Sequence, residues 1–256
     1  MKFAKMNGLG NDYIYFYQKK DELNLTKEEI KKLCNRNFGI GGDGVVVISK
    51  SSIADCKMTI YNADGTRAEN CGNALRCVVK YAHDNFCRNK NISVETDVGI
   101  KSGYVNNDDT ISVNIGEYEI QTKSIKLLRK IIDGHFVSVG NPHFVVKTEN
   151  LDKDFCCYAK DISNLEKNFN SKVNVEFFSQ TTDGLRMRVF ERGVGETLAC
   201  GTGASAVFAV ANETGLCGDN VLIELKGGIL NCCLNSKKEI LINSKVFYNF
   251  FGEIDL

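Results

Sequence analysis

The sequence predicts an α+β protein built of two similar halves, each a mostly antiparallel β-sheet with one buried helix. Three observations predict it. Strand-like alternation outnumbers helical periodicity along the chain. Short blocks recur in the same order about half a chain later. Each half also contains one Cys-Gly step that opens an apolar helix.

The elements follow in order. Residues 12–17 alternate as a strand. Thr26 and Glu29 form a capping box for a helix that turns Ile30, Leu33 and Cys34 inward. Strands are predicted at 44–49 and 57–61, followed by the turn Asn62-Ala63-Asp64-Gly65. After Cys71-Gly72, an apolar stripe of Ala74, Leu75, Val78, Val79 and Ala82 has helical spacing. Strands are predicted again at 91–95 and 110–115, and then a joining loop at 116–124. The second half reads as strands at 136–139, 144–147, 173–178 and 185–190. Residues 204–211, after Cys200-Gly201, are apolar nearly all round and predict a buried helix. Strands at 221–225 and 239–242 complete the pattern, with few signs of β-α-β alternation.

An offset of 129 residues lays Lys57-Met58-Thr59-Ile60-Tyr61 on Arg186-Met187-Arg188-Val189-Phe190, and Cys71-Gly72 on Cys200-Gly201. One residue more lays Gly10-Asn11 on Gly140-Asn141, and the offset of 129 lays Val45 to Ile48 on Asn174 to Phe177. Two related domains are expected, 1–115 carrying Cys71 and 116–256 carrying Cys200.

Composition narrows the function. Lysine plus arginine balances aspartate plus glutamate at 32 each, so the basic footprint of a nucleic-acid binder is missing. No apolar run approaches the roughly 20 residues of a membrane span, and no signal peptide is visible, so a cytoplasmic location is expected. The 11 cysteines are odd in number, contain no C-x-x-C and do not cluster with the three histidines, which argues against a disulfide framework or a zinc site. Most then read as small buried hydrophobes. Gly39 to Gly44 fits G-x-G-x-x-G but precedes a strand, the wrong context for a dinucleotide.

Cys71 and Cys200 stand apart because each lies where a loop meets a helix N-terminus. Unsatisfied amides and the helix dipole there favour a thiolate and can hold a carboxylate. Paired thiols suit inversion of a stereocentre, one sulfur removing a proton and the other supplying one to the opposite face.

The blocks Met6 to Asp12, Asn62 to Gly65, Glu69 to Cys77, Gly140 to His143 and Glu191 to Ala204 resemble diaminopimelate epimerase over nearly the whole chain. The resemblance implies two domains, each with its sheet rolled around a central helix, and a homodimer. It implies cofactor-independent two-base chemistry on a small amino-acid substrate in lysine and cell-wall synthesis. It makes Cys71 and Cys200 the acid and base, with the amides of Gly72, Asn73, Gly201 and Thr202 on the reacting carboxylate. Asn11, Asn62, Asn141, Asn174, Glu191 and Arg192 match substrate-contacting positions, and His143 and Glu191 match groups that tune the thiols. Asn7 replaces a usual histidine, Gly44 stands where many members carry glutamine, and Asn243-Ser244-Lys245 replaces a usual Gly-Pro-Ala. A same-fold enzyme acting on lanthionine or another amino acid is the alternative. A thiol redox sensor is a third reading, but it gives no reason for the asparagine and arginine matches.

Overall fold

The computed structural model describes residues 1–18, 23–68, 71–127, 130–165, 169 and 172–255. Glu69 and Asn70 of the first cysteine motif lie outside the described residues. Contacts divide the chain into two compact units, Met1–Asn114 with Asn243–Leu256, and Ile115–Ile242.

In the first unit, β1 (Lys2–Gly8) and β2 (Asn11–Tyr17) form an antiparallel hairpin. Leu9 and Gly10 close it with φ of 57° and 81°. Positive φ at both central residues is the turn that matches strand twist, and leucine accepts it only at a cost in strain. Helix α1 (Lys27–Cys34) then leads to β3 (Gly44–Ser49), which lies parallel to β2. β4 (Cys56–Asn62) returns antiparallel, and the short β5 (Arg67–Ala68) folds back on it. Helix α2 (Gly72–Ala82), continued by a π-helical turn at His83–Cys87, crosses to β6 (Asn91–Thr96), parallel to β4. β7 (Gly99–Val105) and β8 (Ile111–Gly116) continue the meander.

The second unit repeats the plan. β9 (Glu119–Leu127), β10 (Lys130–Ser138) and β11 (Pro142–Lys147) are antiparallel neighbours. Helix α3 (Leu151–Ser163) leads to β12 (Asn174–Gln180), parallel to β11. β13 (Leu185–Glu191) and β14 (Gly195–Glu196) precede helix α4 (Gly201–Glu213). β15 (Asn220–Leu225), parallel to β13, is followed by β16 (Gly228–Leu234) and β17 (Ile240–Ser244). Pairing registers recur at the offset of the sequence blocks. Cys56 opposes Val94 as Leu185 opposes Ile223, and Asn91 opposes Tyr104 as Asn220 opposes Cys233.

Each unit wraps its strands around one helix. α2 packs on β1, β2, β4, β6 and β7, and α4 packs on β10, β11, β12, β13 and β16. A helix touched by so many strands must be apolar around most of its circumference, and from Ala204 to Ala211 every residue of α4 is buried. A second helix covers the outer face of each sheet. Ile30, Leu33 and Cys34 of α1 join Phe3, Ile14, Val45 and Val47. Phe155, Ala159 and Ile162 of α3 join Phe144, Val175 and Phe177. Because side chains alternate along a strand, Val46 of β3 and Asn174 and Glu176 of β12 point the other way, toward the central helices.

Three features depart from the sequence reading. The predicted joining loop at 116–124 is largely strand: β9 begins at Glu119 and pairs with β10 along its whole length. The C-terminal segment Asn243–Leu256 groups with the first unit and not with 116–242, because β18 (Phe247–Glu253) pairs antiparallel with β1 and supplies its outer partner. Parallel neighbours are also more frequent than the pattern suggested, since α1, α2, α3 and α4 each sit in a crossover between parallel strands. Some of these contacts are brief, two residue pairs for β4 with β6, and leave little trace in sequence.

Candidate active site

Cys71 and Cys200 occupy the N-cap positions of the two central helices in nearly the same backbone conformation, φ −151° and ψ 112° against φ −124° and ψ 114°. Each sulfur accepts a hydrogen bond from the amide three residues on: Ala74 to Cys71 at 3.5 Å, Gly203 to Cys200 at 3.3 Å. This is the role that serine or aspartate plays at ordinary N-caps, here given to a cysteine sulfur. Gly72 and Asn73, and likewise Gly201 and Thr202, form the first turn, where helix amides have no intrahelical acceptor and carry the positive end of the dipole.

The surroundings of the two sulfurs differ. Cys71 is half-buried, and its thiol donates to Asn11 Oδ1 at 3.6 Å. Asn11 Nδ2 donates to Asp43 at 2.8 Å, which aims the amide oxygen at the sulfur. Asp43 also takes the Asp12 amide and an Arg36 guanidinium nitrogen. Lys5 and Arg36 pair with Asp12 at 2.7 and 2.6 Å. Desolvation pushes the Asp12 carboxyl up, but the bonds from Arg36 and Lys5 prevail and hold it below its ordinary value.

Cys200 is buried, 7% exposed. Its sulfur lies 3.4 Å from Thr202 Oγ1, which accepts from Asn141 Nδ2 at 3.3 Å. Asn141 Oδ1 lies 3.1 Å from His143 Nε2, and His143 Nδ1 lies 2.7 Å from Glu176 Oε1. A continuous chain of polar contacts therefore runs from Glu176 to Cys200. Burial first, then the carboxylates of Glu191 and Glu176, push the Cys200 thiol well above its ordinary value, against hydrogen bonds from Thr202 and Gly203.

The remaining expected residues fall into place unequally. Asn174 Oδ1 accepts the Arg192 backbone amide at 3.0 Å, so this buried asparagine ties down the segment bearing the exposed Arg192 side chain. Glu191 accepts from Thr197 Oγ1 in the same loop. Asn62 bonds Thr66 Oγ1 at 3.0 Å within its turn. Gly44 leaves no space for a side chain, since a Cβ there would fall 2.1 Å from the Tyr61 carbonyl oxygen. Asn7 bonds Asn249 across the β1–β18 pair. Among the described residues no group of three potential ligands could hold a metal ion. No described helix is long and apolar enough to cross a membrane.

Glu176 was missed in the sequence reading. It is fully buried on β12, and the available signal was a carboxylate between the apolar residues Val175 and Phe177, at the place where the first half has Val46.

A profile of the diaminopimelate epimerase family matches residues 3–121 and 135–245. Diaminopimelate epimerase of Methanococcus maripaludis is 38% identical over 277 residues, covering all of both chains. That of Leptospira biflexa is 36% identical over 281 residues, covering 100% of this chain and 99% of its own. Among solved structures, a Bacillus anthracis protein of the phenazine biosynthesis PhzF family superposes with TM-score 0.76 at 16% identity, covering 100% and 99%. A hydroxyproline epimerase from Agrobacterium vitis superposes with TM-score 0.70 at 15% identity, covering 99% and 90%. At such identities the structures establish the fold alone, an α+β architecture shared by epimerases and racemases. Full-length identity of this order, together with the match over both halves, establishes more: the chain is an isomerase of the epimerase kind and belongs to the diaminopimelate epimerase family.

Proposed function

We propose that this enzyme interconverts LL- and meso-diaminopimelate without a cofactor, using Cys71 and Cys200 as its two proton-transfer groups. The observation that carries the reading is the matched pair of N-capping cysteines on the two buried helices. An N-cap sulfur lies beside amides that stabilise negative charge, so the same helix end supports a thiolate and the carboxylate of the reacting amino acid. One thiolate takes the α-proton, the negative charge delocalises into the amide-bound carboxylate, and the other thiol delivers a proton to the opposite face. The order of thiol and thiolate is then reversed, and the reverse reaction restores it.

In this proposal the amides of Gly72, Asn73, Gly201 and Thr202 hold the reacting carboxylate. Arg192, with Asn62, Asn141 and Asn174, reads the distal amino-carboxylate end, and Asn11 lies beside Cys71. His143 and Glu191 tune the thiols. A planar guanidinium suits a distal carboxylate because it binds in a bidentate fork. The setting proposed is cytoplasmic lysine and peptidoglycan-precursor synthesis, with the enzyme as a homodimer of chains that each contain two related halves. Lanthionine, a thioether analogue, offers nearly the same contacts and is the competing substrate.

Incubation with LL-diaminopimelate, lanthionine and monocarboxylate amino acids in deuterated water tests the proposal. Deuterium should enter the α-carbon of diaminopimelate with formation of the meso isomer, and more slowly or not at all in the others. Exchange into lanthionine alone would overturn the substrate, and no exchange in any would overturn the chemistry.

A further inference from the structure

Glu176 and Gly203 form a pair of residues that the first half lacks. A Cβ at Gly203 would lie 2.7 Å from Glu176 Oε1, closer than any side chain tolerates. Gly203 is also the residue whose amide bonds Cys200. At the matching places the first half has Ala74 and Val46, a methyl and an apolar side chain, both fully buried. Glycine within a helix costs about 1 kcal/mol relative to alanine, so its use here needs a reason. The reason is room for the carboxylate. Glu176 is fully buried, its Oε1 is bonded to His143, and its Oε2 has no hydrogen-bond partner among the described residues. Tyr13 takes the place of His143 in the first half.

The geometry points to Glu176 as a positioning residue that makes the two thiols unequal, holding Cys200 protonated in the free enzyme and leaving Cys71 to ionise first. This deepens the two-thiol reading above and rests on it. A carboxylate wedged against the first turn of α4 opposes a second negative charge on the N-cap sulfur. The charges acting on Cys200 come from Glu176 of β12 and Glu191 beside it on β13, while His143 of β11 binds Glu176. β10 and β16 complete the packing around the helix and carry Lys130, Asp133, His135, Cys232 and Cys233 as their titratable groups. The Cys200 sulfur accepts from the Gly203 amide, and its contact with Thr202 Oγ1 at 3.4 Å can run in either direction, so neither bond holds the sulfur as a thiolate against two carboxylates. The Asn11 oxygen beside Cys71 also favours a thiol, but Cys71 is only half-buried, and a neutral acceptor at 3.6 Å opposes ionisation less than burial beside two carboxylates.

The test is alkylation of the free enzyme by iodoacetamide from pH 6 to 11, each cysteine followed by peptide mass mapping. Cys71 should reach its reactivity midpoint at least about one pH unit below Cys200. Glu176→Gln should lower the Cys200 midpoint by about one unit and leave Cys71 where it was. Glu176→Asp, which keeps the charge, should restore most of the difference. The high-pH loss of kcat/KM should move down with the Cys200 midpoint, a shift that a merely structural glutamate would not cause. Ionisation of Cys200 before Cys71, or a Cys200 midpoint indifferent to Glu176→Gln, would overturn the inference. The ordering in the unsubstituted enzyme needs no variant to fold. No substrate is present during alkylation, so these results stand apart from whether diaminopimelate is the substrate.

Discussion

At the scale of single residues, the proposed chemistry depends on two sulfurs and one guanidinium. Cys71→Ala or Cys200→Ala should reduce epimerisation below detection while the melting temperature shifts little, because each removes one half of a two-sided proton transfer. Full turnover by either alanine variant sinks the two-base mechanism. Arg192 is exposed and its backbone is anchored by Asn174, so its side chain is presented from a fixed point. Arg192→Ala should cost about 2 to 5 kcal/mol in kcat/KM for a dicarboxylate substrate, the penalty for leaving a buried charge unpaired. Monocarboxylate amino acids should lose far less, and an equal loss in both classes shows that Arg192 does not read the distal end. The sequence singled out both cysteines and Arg192 as candidates. It did not single out Glu176, because one carboxylate between apolar neighbours is mute until the helix against which it packs is known.

At the scale of elements, local signals worked where the local chain controls the outcome. Thr26 and Glu29 do form the capping box, with Glu29 accepting from the Thr26 amide at 2.7 Å and the Glu29 amide donating to Thr26 Oγ1 at 3.2 Å. Thr26→Ala removes the hydroxyl from that box and should cost about 1 kcal/mol in chemical denaturation, whereas Thr26→Ser should cost little. Equal losses would show that the threonine methyl and not its hydroxyl matters. Strands with one buried face, such as β4, β6, β8 and β13, were found within a residue or two. β9 and β18 were missed because they keep most side chains in solvent, so their alternation has no apolar partner row. Helix α3 was overlooked although Leu151, Phe155, Ala159 and Ile162 make a regular stripe.

At the scale of the whole molecule, Cys34, Cys56, Cys77 and Cys232 are core residues, whereas the other five cysteines outside the site are partly or fully exposed, contrary to the expectation that most would be buried. Burial pushes the thiols of Cys56 and Cys77 up to about 12, and that of Cys34 to about 11. In the unfolded chain these groups ionise near their ordinary value of 9.0. Between that pH and 12 the unfolded state therefore binds fewer protons than the folded state, and stability must fall as pH rises. Each thiol contributes a slope of up to about 1.4 kcal/mol per pH unit in this window and none below it. Denaturant unfolding at pH 8, 9.5 and 10.5 reads the slope. A Cys56→Ala, Cys77→Ala variant should show a shallower decline, and an unchanged slope would mean that other groups cause it.

The sequence by itself determined that two cysteines open helices at matching places in a duplicated frame. Helix-opening cysteines, caps and half-buried strands depend on contacts within a few residues, and a repeat is visible wherever it occurs. Tertiary structure alone decided the rest. It carried β18 back to β1 because an inner strand needs a second hydrogen-bonded neighbour, and sequence distance does not enter that requirement. It also set Glu176, His143, Asn141 and Thr202 in line with Cys200, residues from two strands, a loop and a helix end whose contact depends on how a sheet curves around its helix.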